Sequence, residues 1–258
     1  MKIAVAGATG RVGRHVVEVL EARGHEVVAV SRSHGVDVIT GKGLADALVR
    51  VECIIDAASG PSPDQNAATE FFTTAARNLE QAGRRAGVKR SVVISIIGID
   101  RFSAGYMAAK VAHERVALAG SIPVRILRAA QFHELVGQIV EWGRKGDASY
   151  LQEMRTQLVA ARTVAEALAD LATTGSVPGA RATDRQFIEI AGPRPESLVD
   201  AARRLIARRG DALRIEEANN DADPDRAAYV SGALLPGPDA ILGGPTFDAW
   251  LDSEYPRR

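Results

Sequence analysis

Along the first half of the chain, short apolar runs alternate with stretches whose apolar residues recur every three or four positions. Ile3-Ala4-Val5-Ala6 is an apolar run that stops at Gly7. Val12, Val16, Val19 and Leu20 then share one helical face, and Gly24 closes that helix. Glu26 to Val30 reads as a second strand and Leu44 to Val49 as a short helix. Ile54 and Ile55 lead a third strand into Asp56-Ala57-Ala58-Ser59, followed by a Gly-Pro-Ser-Pro loop. Asn66 to Ala86 is a long helix with Phe72, Ala75, Leu79 and Ala82 on one face. Ser91 to Ile97 is a strand, Ala104 to Ala119 a helix and Val124 to Leu127 a strand. Strands that alternate with helices in this way predict an α/β fold with a parallel sheet covered by helices on both faces.

The second half is less regular. Leu135 to Arg144, Thr163 to Thr173 and Ser197 to Arg208 read as helices, the last with an Arg-rich solvated side. Phe187 to Ala191 reads as a strand that ends at Gly192-Pro193. Beyond Arg214 the pattern reads as loop, anchored by Leu234-Leu235 and by Phe247 to Trp250. The expected division is a sheet portion over residues 1–130 and a smaller C-terminal portion over 131–258 packed on it.

Composition narrows the function classes. The 258 residues carry 32 basic and 32 acidic side chains, for a formal net charge of zero, which fits neither a nucleic-acid coat nor a polybasic membrane anchor. The single cysteine, Cys53, leaves no partner for an intrachain disulfide. No apolar run approaches the ~18 residues of a membrane helix, and no targeting signal precedes the first strand, so a cytoplasmic location is expected. Lys is scarce, 5 against 27 Arg, so a Lys at a meaningful spacing is informative.

The first candidate chemistry sits between the first strand and the first helix, in Gly7-Ala8-Thr9-Gly10-Arg11-Val12-Gly13. Gly7 allows the tight turn, Gly10 lets backbone approach a pyrophosphate, and Gly13 permits close helix–strand packing. The N–H groups that open the helix meet the phosphate charge. This strand–turn–helix context marks a dinucleotide site on a doubly wound parallel sheet of the Rossmann kind. At the end of the second strand, where an NAD site has Asp or Glu for the ribose hydroxyls, this chain has Ser31-Arg32. A guanidinium pairs with a 2′-phosphate that a carboxylate would repel, so NADP(H) is expected over NAD(H).

The second candidate is Tyr106-Met107-Ala108-Ala109-Lys110, a phenol and an ammonium on one helix face. A nearby ammonium is expected to favour tyrosinate and bring the phenol toward working pH. The phenol can then exchange a proton with a substrate oxygen during hydride transfer.

The glycine loop, Tyr106-x-x-x-Lys110 and the strand Val124 to Arg128 together resemble the short-chain dehydrogenase/reductase superfamily. More narrowly, they resemble its atypical NAD(P)-binding branch, which includes NmrA-like proteins and NADPH-quinone reductases. The resemblance is good over about residues 1 to 135 and loose beyond. It implies that Tyr106 is the acid/base and that Lys110 binds the nicotinamide ribose and tunes Tyr106. A Ser at or just past the family's fifth strand orients the substrate; here Ser95 either takes that role or lines the cofactor, and Ser103 in the following loop is the alternative. Ala57, Ala58 and Ser59 correspond to the segment passing the adenine ribose. Arg128-Ala129-Ala130-Gln131-Phe132 corresponds to a segment that contacts the nicotinamide and commonly has Pro where this chain has Ala129 or Ala130. Phe132 and His133 are candidate substrate residues, and Arg11 is a candidate for the adenine.

No pair among His15, His25, His34, His113 and His133 has metal-ligand spacing on a common helix face, so no metal is expected. The arginine pairs 203–204 and 208–209 lack interleaved aromatics, so no nucleic-acid partner is expected. The expected function is an NADPH-dependent reductase of a small carbonyl or quinone. The alternatives are an NADP(H)-binding redox sensor that acts on a protein partner without turnover and, further off, a nucleotide-sugar epimerase or dehydratase. Related folds dimerise through helices, and a homodimer fits that habit.

Overall fold

A computed structural model describes residues 1–60, 62–179 and 186–256. In chain order the elements are β1 (Lys2–Ala6), α1 (Gly13–Ala22), β2 (Glu26–Val30), α2 (Leu44–Ala47), β3 (Cys53–Asp56), α3 (Gln65–Ala86), β4 (Arg90–Ile96), α4 (Gly105–Leu118) and β5 (Val124–Ala129). There follow α5 (His133–Trp142), β6 (Arg144–Lys145), β7 (Ala148–Leu151), β8 (Arg155–Thr156), α6 (Ala161–Thr174), β9 (Phe187–Ala191), β10 (Glu196–Ser197), α7 (Leu198–Arg209), β11 (Arg214–Glu217), α8 (Arg226–Ser231), β12 (Ile241–Leu242) and α9 (Phe247–Glu254). The main sheet runs β12-β9-β5-β4-β3-β1-β2. β1 pairs in parallel with β2 and β3, and β3 with β4. This is the α/β arrangement that the alternation predicts, a mostly parallel sheet flanked by helices.

The chain forms two compact units. The first holds Met1–Ser95, Ala104–Arg128 and Val164–Ile188; the second holds Ile96–Ser103, Ala129–Thr163 and Glu189–Arg258. The sequence places one division near residue 130, whereas the units interleave. The reason lies in the wound sheet: α6 and the start of β9 come late in the chain yet belong with the first unit.

In the first unit the central strands are buried on both faces. All four residues of β3, Cys53-Ile54-Ile55-Asp56, are buried, as are Ile3 to Ala6 of β1. Strands covered on both sides read as continuous apolar runs. The chain steps from β1 outward to β2 and then returns to β3 on the other side of β1. That reversal creates a crevice at the carboxyl ends of β1 and β3, where ligands of such sheets bind. Helix α3 begins where the Asp64 side chain accepts from Ala67 N–H and ends at Gly87, which adopts the left-handed conformation. Its inner face presents Phe72, Ala75, Ala76, Leu79 and Gly83. Helix α4 is unusual, because its buried face includes Lys110, His113 and Glu114 beside Met107, Ala109 and Ala117.

In the second unit, α5, α7 and α9 share a core around Val136, Val140, Leu205, Phe247 and Leu251. β11, β7 and β6 form a small sheet, and β10 pairs with β8. The segment beyond Arg214 is therefore not the loop that its sequence suggests. β11 completes a sheet edge by pairing with β7, and β12 pairs with β9, so their hydrogen bonds come from distant strands and not from a local pattern. The Arg-rich face of α7 is also not simply solvated. Arg203 pairs with Asp200, Arg204 with Glu196 and Asp248, and Arg208 with Asp252. Among the described residues, no helix is long and apolar enough to cross a membrane.

Candidate functional site

The glycine loop lies at the crevice between the ends of β1 and β3. Gly7 turns with φ +75, and its N–H donates to Val30 O at 3.0 Å. A Cβ at Gly7 would stand 2.5 Å from Ala57 O, and one at Gly13 would stand 2.1 Å from Gly7 O. Both are closer than any real carbon can come, so these two glycines are demanded by packing. Gly10 differs: it is exposed, and a Cβ there would meet only Gly7 O, at 3.1 Å. Helix α1 starts without a side-chain cap and without an acidic residue in its first turn. Its opening N–H groups therefore face the loop with no competing side-chain oxygen, which suits an anion. Thr9 is exposed, Arg11 half-buried and Val12 buried beneath them. These residues fit a dinucleotide pyrophosphate.

At the end of β2, Ser31 leads into a 3-10 turn over Arg32–His34, closed by Gly35. The Ser31 hydroxyl is 2.7 Å from His34 Nδ1 and 2.9 Å from the Ser33 hydroxyl. Arg32, Ser33 and His34 are exposed. The first carboxylate after β2, Asp37, accepts from Ile39 N–H at 2.8 Å and so caps its own turn. The turn after β2 thus presents a guanidinium, hydroxyls and an imidazole. After β3, Ala57 N–H donates to Ala6 O, while Ala58 N–H donates to Asp56 Oδ1 at 3.1 Å. Ala57 and Ala58 pass directly by Gly7, as its blocked Cβ shows, and Ser59 follows them.

Helix α4 carries Tyr106 and Lys110, the pair that the sequence singles out. Tyr106 is half-buried and meets Phe72 edge-on, with ring centroids 5.6 Å apart. Burial holds its phenol above the ordinary value, with the charge of Arg11 pulling the other way. The Lys110 ammonium, one turn further on, is directed at other groups. Its Nζ is buried and donates to Ile94 O at 2.9 Å and to His113 Nδ1 at 2.8 Å. It also lies 4.4 Å from the centre of the Phe72 ring, a cation–π contact. Burial brings the Lys110 pKa down to about 8, against the pull of Asp56 and Glu114.

The chain of contacts continues inward. His113 Nε2 donates to Asp56 Oδ2 at 3.0 Å, and its ring stacks on Phe72 at 4.9 Å. Burial and Lys110 hold His113 below its ordinary pKa, opposed by Asp56. For Asp56, burial favours the acid, but the hydrogen bond and charge of His113, with Lys110 and the Ala58 N–H, outweigh it, so its pKa lies below the ordinary carboxylate value. On the next turn Glu114 takes a two-pronged contact from Arg128, at 3.0 and 2.8 Å. Sequence reasoning finds Tyr106 and Lys110 but misses His113 and Asp56 as their companions. The available signal is the i, i+3 spacing of Lys110 and His113, which puts both on one helix face.

Ser95 lies on β4 one residue beyond Ile94, 2% exposed, and its hydroxyl has no protein partner. A buried hydroxyl left open in this way is rare in proteins and suits a bound polar group. Ser103 belongs to the second unit and is committed there: its hydroxyl donates to Asp225 Oδ1 at 2.8 Å and its N–H reaches the same carboxylate. Phe132 and His133 also belong to the second unit. His133 is fully buried against Phe247 and Trp250, with Nε2 3.1 Å from Pro245 O and Nδ1 without a partner. Burial brings its pKa down to about 4. Among the described residues, no three His, Cys, Asp or Glu side chains gather as a metal site.

The family described as NAD(P)H-binding matches residues 7–174. Photosystem II assembly factor Ycf39 of Synechocystis is 27% identical over 154 residues, which make up 54% of this chain and 47% of that protein. The chain thus spans about half the length of this curated relative. The Bordetella bronchiseptica enzyme WbmH in complex with NAD+ superposes with a TM-score of 0.70 at 16% identity, over 98% of this chain and 99% of that one. UDP-N-acetylglucosamine 4-epimerase from Bacillus cereus gives 0.65 at 16%, over 99% and 98%. UDP-glucose 4-epimerase of Thermus thermophilus in complex with NAD gives 0.65 at 18%, over 99% and 93%. At these identities the structural likeness is one of fold.

Proposed function

The chain belongs to the NAD(P)H-binding family, and on that premise we propose that it is an NADPH-dependent oxidoreductase of the atypical short-chain dehydrogenase/reductase class, acting on a small carbonyl or quinone. When bound, the cofactor supplies the hydride. Gly7, Gly10 and Gly13, with the opening N–H groups of α1, receive the pyrophosphate. Ser31 and Arg32 receive the 2′-phosphate, and the absence of a free carboxylate after β2 is what favours NADP(H) over NAD(H). Ala57, Ala58 and Ser59 run past the adenine ribose, with Arg11 beside the adenine. Lys110 reaches the nicotinamide ribose with the N–H left over from its two protein bonds.

Tyr106 carries the reading. Its half-buried phenol keeps its proton at neutral pH, which suits an acid that protonates a substrate oxygen as the adjacent carbon is reduced. The phenolic O–H bond breaks, the new O–H bond forms on the product, and the tyrosinate recovers a proton from solvent. Ser95 offers an unengaged hydroxyl to cofactor or substrate.

A second reading, a binder of NADP(H) that acts on a protein partner without turnover, is favoured by the likeness to a protein named as an assembly factor. NADPH consumption against a panel of quinones and carbonyls, with Tyr106→Phe as control, separates the two. Turnover that falls in Tyr106→Phe supports the enzyme. Tight NADPH binding with no turnover across the panel supports the binder.

A further inference from the structure

Asp56, His113 and Lys110 come from β3 and two turns of α4, yet they form one unbroken buried line: carboxylate, imidazole, ammonium, backbone carbonyl. The links measure 3.0, 2.8 and 2.9 Å. Their relative exposures are 3, 1 and 4%. Such groups are rarely buried unless they satisfy one another. The donors fix the tautomer. Lys110 can only donate, so His113 Nδ1 must accept, and the single imidazole proton sits on Nε2 facing Asp56. Phe72 of α3 closes the line from the side, stacked on His113 and lying under Lys110.

Among the described residues, the charged and titratable groups around Lys110 come from three elements. Asp56 approaches from β3, His113 and Glu114 share its helix, and Arg128 of β5 neutralises Glu114 through a two-pronged pair. Tyr106 precedes it by one turn. Because Glu114 is spoken for by Arg128, Asp56 is the carboxylate left to balance the lysine, and it acts through His113.

We propose that His113 and Asp56 are positioning residues for Lys110: the imidazole, oriented by the carboxylate, anchors the ammonium against the β4 carbonyl edge, keeps it charged in a dry site and aims its remaining N–H at the cofactor. The proposal rests on the reading of Lys110 as a ribose ligand, but its structural half can be tested without cofactor. Lys110 loses its proton at about pH 8 in the intact line. Removing the Asp56 charge removes the first cause that opposes burial, so the ammonium is lost at lower pH. An opposite charge at this range is worth roughly 1 pH unit.

The test uses the cofactor-free protein labelled at lysine Cε and histidine nitrogen. Only five lysines are present, so Lys110→Arg assigns the resonance. In the wild type, His113 is expected as a neutral Nε2–H imidazole throughout the neutral range. A protonated His113, or one with its proton on Nδ1, overturns the proposal whatever the variants do. In Asp56→Asn, Lys110 is expected to titrate about 1 unit lower; an unchanged titration overturns the proposal. With NADPH, His113→Leu is expected to weaken binding about tenfold and to move the alkaline limb of the binding profile to lower pH. His113→Gln, which can accept through Oε1 and donate through Nε2, is expected to restore both. Leu and Gln variants with equal pH profiles would overturn the positioning role. Correct titrations in a protein that never oxidises NADPH would leave this inference standing and remove the proposed enzyme activity.

Discussion

Gly10 and Gly13 make opposite demands on the same loop, and replacing each with Ala separates packing from ligand approach. At Gly13 the added Cβ would lie 2.1 Å from Gly7 O and 2.7 Å from Gly7 C. A relaxed C···O contact lies at about 3.3 Å, so the start of α1 and the Gly7 carbonyl must part by about 1 Å. Overpacking of that size costs about 1–3 kcal/mol. For a protein of this length that lowers Tm by roughly 3–10 °C. At Gly10 the nearest atom is Gly7 O at 3.1 Å, and φ is not positive, so Ala fits after a shift of a few tenths of an ångström. The fold should be unaffected within about 2 °C. The methyl instead occupies the path of an incoming pyrophosphate. Losing one charge-assisted N–H contact is worth about 1.5–3 kcal/mol, a factor of roughly 10–100 in Kd. Thermal unfolding without cofactor, paired with NADPH fluorescence titration, reads both quantities. Gly10→Ala should melt with the wild type and bind poorly, and Gly13→Ala should fail in both. NADPH binding by Gly10→Ala at wild-type strength, or Gly13→Ala melting with the wild type, would refute the cradle.

Four further outcomes are expected. Arg32→Ala should weaken NADPH by about tenfold, more at low salt than at high, and leave NADH unchanged; parallel titrations that fall equally would exclude a 2′-phosphate role. Tyr106→Phe should keep the fold and lower kcat by about 10²–10⁴ with any accepted carbonyl. Arg128→Leu should destabilise the protein by about 3–5 kcal/mol in urea unfolding, because Glu114 is then left buried without its guanidinium. His133 takes up a proton near pH 6.5 when unfolded but only at about 4 when folded, so its contribution is complete above 6.5 and lost as pH falls toward 4. That loss amounts to at most about 3 kcal/mol, and His133→Gln should flatten the acid side of the stability curve.

The first half of the chain is legible because its signals are local. Glu26–Val30 forms where its apolar run indicates, and α3 begins and ends at Asp64 and Gly87, which carry their own capping chemistry. The glycine loop is legible for the same reason, since strand, turn and helix are consecutive. What escapes is non-local. β11 and β12 exist because β7 and β9 offer them hydrogen bonds, and neither carries a pattern of its own. Polarity alone would place His113 and Glu114 in water, although they share a helix face with Met107, Ala109 and Ala117. They are buried because Asp56, 57 positions away from His113, and Arg128 wait for them. Scarcity marks Lys110 as unusual, and the i, i+3 spacing sets His113 beside it, but nothing local reveals the Asp56 carboxylate that orients the imidazole. The residues of the glycine loop are consecutive in the chain, whereas the groups that set the charge of Lys110 meet only on folding.

The central claim is hydride transfer from NADPH assisted by Tyr106. Its most direct measurement follows NADPH carrying deuterium at the transferred position of C4, mixed with the protein and a panel of carbonyl and quinone acceptors. The account predicts deuterium on the reduced carbon of a carbonyl product, or an isotope-slowed rate with a quinone, with carbonyl turnover lower by about 10²–10⁴ in Tyr106→Phe. Tight NADPH binding with no label transferred and no isotope-sensitive consumption across the panel would contradict it.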